Sequence, residues 1–150
     1  MIVIYKPEDG DEQRWEFDPR KVPASKAEMI ERRAGESWEA WLAAVQSGSI
    51  RARRVLLWHL LTIRHYGLRW EDVPDFMAGE LVVQHSLNEL TAMRDRAAKA
   101  KLPAEQRAQV MTALGLAITD ALERDGLAEV PDESEGKAPS PSYASATPSR

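Results

Sequence analysis

Ser49-Ile50-Arg51-Ala52-Arg53-Arg54-Val55-Leu56-Leu57-Trp58-His59-Leu60-Leu61-Thr62-Ile63-Arg64-His65-Tyr66-Gly67 is the stretch that decides the fold. Ser49 is a good N-cap and Gly67 a good terminator, so the pattern predicts a helix from Ile50 to about Tyr66. From Val55 to Ile63 that helix is apolar nearly all round, and a helix without a polar face is buried on every side. It is therefore expected at the centre of a mainly α-helical domain. Val55 to Ile63 is interrupted by His59 and Thr62 and falls well short of the roughly 20 apolar residues a membrane span requires.

Moving toward the N-terminus, two shorter helices are punctuated by glycine. Ser37 caps a segment carrying Trp38, Trp41, Leu42 and Val45 at helical spacing, closed by Gly48. Before it, Ser25-x-x-Glu28 has the spacing of a capping box, which predicts a helix from about Lys26 to Ala34, stopped by Gly35. Asp18-Pro19 and Val22-Pro23 block helix ahead of it. Ile2-Val3-Ile4-Tyr5 and Arg14-Trp15-Glu16-Phe17, on either side of Asp9-Gly10-Asp11, read as a small β-hairpin.

Toward the C-terminus, Leu68-Arg69-Trp70 is extended and Asp72-Val73-Pro74 ends it. A helical hairpin is expected next. Val83, Leu87, Leu90 and Ala97 form one apolar stripe, Pro103 opens the second helix, and Val110, Met111, Leu114, Ile118, Ala121 and Leu122 form the other, ending at Gly126. Residues 131–150 hold four prolines and five serines and almost no large apolar side chain, so they are read as a disordered tail. The expected organisation is a β-hairpin over residues 1–18 packed on a helical domain over 25–126, followed by that tail.

The 150 residues carry 20 Lys and Arg against 24 Asp and Glu, a net charge of −4, but the charges are segregated. Val45 to Trp70 has no acidic residue and contains Arg51, Arg53, Arg54, Arg64 and Arg69, whereas Asp120 to Glu135 is strongly acidic. No cysteine is present, which removes disulfides, thiolate nucleophiles and thiolate metal sites and suits a reducing cytoplasm. Met1 to Gly10 lacks the basic-then-apolar pattern of a secretory signal. The expectation is a protein that is neither exported nor inserted in a membrane.

Catalytic patterns are wanting. His59 and His65, six apart on one helix, point about 120° apart, and no HExxH accompanies them. Glu71-Asp72 and Asp9 with Asp11 lie in turns, where capping and solvation account for them. There is no GxxxxGK[ST], GxGxxG or GxSxG run. Neither an enzyme nor a cofactor or metal site is expected, and no small-molecule substrate.

Binding surfaces are the better candidates. Val110, Met111, Leu114 and Ile118 would form an apolar groove for a partner helix if the hairpin does not close fully on the front half; ordinary packing is the competing reading. Arg51 and Arg54, three apart on one helical face, either grip phosphates, face a protein partner, or simply solvate the start of the buried helix or pair with acids elsewhere in the chain. Trp41 is either core or an interface anchor.

One ordered series of segments resembles a known family. Trp15-x-Phe17-Asp18-Pro19, then Ser25-x-x-Glu28-x-Ile30-Glu31-Arg32, Gly35-x-Ser37-Trp38, Gly48-Ser49-x-Arg51-Ala52, Leu56-Leu57-Trp58 and Leu68-Arg69-Trp70-Glu71-Asp72-Val73 together resemble the tail assembly chaperones of long-tailed (siphovirus-type) actinobacterial phages. The stretch covers Arg14 to Leu90 and leaves out the hairpin beyond. The resemblance implies a non-enzymatic virion-assembly factor of the host cytoplasm, made in a short and a frameshifted long form. Such factors coat the tape-measure protein, recruit tail-tube subunits and leave the finished tail. The family supplies no catalytic residues. Self-association is left open. Glu135-Gly136-Lys137 can be encoded GAG GGA AAG, which contains a slippery heptamer; a programmed frameshift there would make the residues after Lys137 specific to the short product. The competing expectation is a small DNA-binding or head-to-tail adaptor protein that uses the Arg51 to Arg69 stretch.

Overall fold

The computed structural model describes residues 1–127. The tail and the Glu135-Gly136-Lys137 expectation lie outside the described residues. The chain runs β1 (Ile2–Tyr5), β2 (Gln13–Glu16), α1 (Ala24–Ala34), α2 (Trp38–Ser47), α3 (Ile50–Arg64), β3 (Leu81–Gln84), α4 (Leu87–Lys99) and α5 (Ala104–Arg124), with short 3-10 turns at Pro19–Lys21 and Trp70–Asp72. The fold is mainly α with a small sheet and a C-terminal helical hairpin, as the sequence indicates.

The helix α3 is the central strut. Val55, Leu56 and Leu57 are consecutive, so their side chains leave the helix in directions about 100° apart, yet all three are fully buried. Only a helix surrounded on all sides can satisfy that. Ile30 and Ala34 of α1, Trp41 and Val45 of α2, and Val3, Tyr5, Trp15 and Leu81 of the sheet complete one core cluster with it. Each fully buried Leu or Ile contributes about 1.5–3 kcal/mol relative to exposure. Ser49 caps α3 at the Ala52 N–H. The helix ends at Arg64, short of Tyr66: His65 donates to the Leu61 carbonyl as its last turn, Tyr66 is fully exposed, and Gly67 turns the chain with φ +91°.

Some details differ from these expectations. The capping box at Ser25 does not form, because Pro23 has a backbone suited to the N-cap position and its carbonyl accepts from the Lys26 and Ala27 N–H groups. The helix therefore begins at Ala24, and Glu28 pairs with Arg32 one turn on. The N-terminal hairpin of β1 and β2 forms as expected, but an unexpected third strand joins it. β3 adds to β1 in the order β2-β1-β3, all antiparallel, with Val3 opposite both Trp15 and Val83. Val83 therefore belongs to a strand and not to a helical stripe. The partner strand of the hairpin also ends at Glu16, one residue before Phe17, whose N–H donates to the Met1 carbonyl.

The sheet divides the molecule. Val3, Tyr5, Trp15 and Leu81 face the helical core, so Ile2, by strand alternation, faces away from it. Ile2 is buried all the same, and it lies outside the core cluster, as do Leu90 of α4 and Ala121 of α5. Its cross-strand neighbours are Glu16 and Gln84, and the α4–α5 hairpin is tied to this second face through Gln84 and Arg14.

Candidate interaction surface: the α4–α5 hairpin

Two sets of polar contacts fix the base of the hairpin. The first is a capping box at Ser86: its hydroxyl accepts from the Glu89 N–H, and the Glu89 carboxylate accepts from the Ser86 N–H at 2.8 Å. The same carboxylate oxygen lies 2.9 Å from the Met1 ammonium, which also donates to the Phe17 carbonyl at 2.8 Å. Burial works to raise the Glu89 pKa, but the ammonium and the Ser86 donors outweigh it and hold it below its ordinary value.

The second set ties down the far end of α5. Arg124 donates to the Gln84 side chain at 2.9 Å and to the His85 carbonyl, and Asp125 accepts from both Arg124 and Arg14. Those two arginines hold the Asp125 pKa below its ordinary value. Arg14 and Gln84 sit on the two outer strands, so the end of α5 is strapped across the sheet.

Beyond these anchors the hairpin stands on its own packing. At 1.5 Å per residue, α4 is about 20 Å long and α5 about 31 Å. α5 is longer by 21 − 13 = 8 residues, about two turns, and those turns reach the sheet. The rest of α5 packs antiparallel on α4. Arg107 closes the tip by donating to the carbonyls of Ala100 and Leu102. No residue of α4 or α5 belongs to the main core cluster.

Along one side of the pair runs an apolar groove of about 530 Å³, lined by Met93, Arg96, Ala97, Val110, Ala113 and Leu114. Of the stripe expected to face a partner, Val110 and Leu114 line the groove, and Val110 is 38% exposed. Met111 and Ile118 are half-buried and do not line it. Ala97, expected on the apolar stripe of the first helix, lines it too, and Met93 and Ala113 join the groove without having been anticipated. The readable signal was spacing: Met93 stands three residues after Leu90 and four before Ala97, on the face that those two already share.

The other candidates go elsewhere. Trp41 is fully buried, its indole N–H donates to the Ala52 carbonyl at 3.1 Å and its ring packs against Phe17 and Trp38; it is core, not an interface anchor. The arginines of the basic stretch are dispersed. Arg53 donates to the carbonyls of Val45 and Leu81, tying α2 to β3. Arg54 lies over the Trp70 ring at 4.9 Å, Arg33 lies between Trp58 and Trp70, and Arg64 lies over Trp15. Arg51 is exposed, its guanidinium close to Gly35. None of Arg51, Arg54 and Trp41 lines the hairpin groove.

His59 sits at the floor of a cleft of about 280 Å³ between α1 and α3, edge-on to Phe17. Burial, aided by the Lys26 charge, lowers its pKa and keeps the imidazole neutral. Among the described residues no group of three or more His, Asp or Glu side chains is placed to hold a metal ion, and no helix is long and apolar enough to cross a membrane.

No protein-family model matches this sequence, and no curated protein or solved structure matches it significantly.

Proposed function

We propose that this protein is a non-enzymatic tail assembly chaperone that holds the tape-measure protein of a long-tailed phage and promotes its coating by tail-tube subunits. The observation that carries the reading is the apolar groove on a hairpin anchored only at its base, with Met93, Ala97, Val110, Ala113 and Leu114 left without cover from the main core. An amphipathic client helix laid in such a groove buries its own apolar stripe. A tape-measure protein offers many such helices, and several weak sites along one client raise the overall avidity. The ordered segments between Arg14 and Leu90 support the same family.

The test is co-expression with tape-measure fragments. The expected result is a complex that survives moderate salt, with a gain in client solubility. Leu114→Asp, which puts a charge into the groove, should abolish it while leaving the protein folded. No complex with any fragment, and no gain in client solubility, overturns the reading.

A further inference from the structure

We infer that the cleft between α1 and α3, floored by His59, binds a small monocarboxylate with an apolar body, of the size of a one-ring aromatic acid. His59 points to a ligand. It is only 9% exposed, yet among the described residues neither of its ring nitrogens has a hydrogen-bond partner. Unlike the indole N–H of its neighbour Trp58, those nitrogens are not sealed off, and the ring lines the cleft. Buried polar groups are nearly always paired, so an imidazole left open toward a cleft has its partner outside the chain.

The walls fix the class of that partner. Met29, Trp58 and Leu68 supply apolar surface, and the Lys26 ammonium at the rim is close enough to His59 to help lower its pKa. No carboxylate lines the cleft. One cation and one neutral imidazole among apolar walls complement a single negative charge on an apolar body: the imidazole N–H donates to the carboxylate and Lys26 supplies the opposing charge. Inorganic phosphate would leave the apolar walls uncovered. The cleft, at about 280 Å³, is roughly twice the apolar cavity of about 150 Å³ that accepts benzene, which is room for one ring and its carboxylate. Tyr66, fully exposed at the mouth, offers an aromatic face to cover the bound ring.

This site shares no residue with the α4–α5 groove, so it stands whether or not the hairpin holds a client.

Benzoate is the probe, titrated into the full chain while the imidazole resonances are followed by NMR. The chain has three histidines, so the His59 signals should shift and saturate while those of His65 and His85 stay in place. Benzamide, which has the same shape without the charge, should bind about five-fold more weakly, and acetate, which has no ring, should not saturate. Lys26 is exposed, so its replacement leaves the core intact. Lys26→Ala should weaken benzoate about five-fold and leave benzamide unchanged, and Lys26→Arg should keep the affinity. The absence of a saturable His59 shift with benzoate would mean that the cleft holds water alone, and it overturns the inference. Equal affinity for benzoate and benzamide, the mark of an apolar pocket without preference for an anion, overturns it as well.

Discussion

The core around α3 and the α4–α5 hairpin are both helical, but they are stabilised in different ways. In the core, three consecutive side chains of one helix are buried at once, and arginines are spent on carbonyls and tryptophan faces. In the hairpin, Leu90 and Ala121 are the only hydrophobic side chains that are buried, and the remaining apolar residues are half-covered or open. The core is closed, whereas the hairpin is held at its base and left incomplete along its length. Incomplete burial costs stability and leaves apolar surface for a partner to cover.

Substitutions separate the two regions by size of effect. Trp41→Ala should cost about 3–5 kcal/mol, read by chemical denaturation, because it removes the largest fully buried side chain and leaves the Ala52 carbonyl without its indole donor. A loss below about 1 kcal/mol would show that the core is looser than its packing implies. At the junction, Arg124→Ala should cost about 1–3 kcal/mol, from the lost bonds to Gln84 and His85. It should speed amide exchange in α5 and leave α3 unchanged. Ser86→Ala should cost about 1 kcal/mol by removing the capping hydroxyl, felt first in α4.

Acid should distinguish the regions too. His59 binds its proton less readily in the fold than in the unfolded chain, so its contribution is complete above pH 6.5 and declines as pH falls below that value. Glu89 has a folded pKa below its ordinary 4.5, so its contribution is present above pH 4.5 and is lost only as pH falls further. Denaturation midpoints measured against pH should thus begin to fall near 6.5. His59→Gln should remove that first phase, and Glu89→Gln the later one.

What the sequence made legible follows the same division. The α3 reading needed only local information: a cap, an all-round apolar run and a terminating glycine. The Ser37 and Gly48 boundaries of α2 were equally local and stand as expected. The strand β3 was hidden, because Leu81-Val82-Val83-Gln84 is a short apolar run that joins a partner more than seventy residues away, and periodicity cannot separate such a run from the start of a helix. Mistaking it counted Val83 into a helical stripe that in fact begins at Leu87. The second shortfall was chemical. Ser25 and Ser86 both open an S-x-x-E pattern, but Pro23 takes the N-cap position ahead of the first, and only the second forms the box. The fate of the arginines was not legible at all, since Arg53, Arg54 and Arg64 find their partners on β3, Trp70 and Trp15, which only the tertiary fold brings near.

The central claim, that the hairpin is a separately yielding arm on a closed core, is tested most directly by native-state hydrogen exchange of the free protein across a denaturant series. The account predicts that amides of α4 and of α5 up to Ile118 exchange by local opening, at free energies well below those of Val55 to Leu61 in α3. Exchange of both sets at one common free energy, with the same denaturant dependence, would mean that hairpin and core unfold as a single unit and would contradict it.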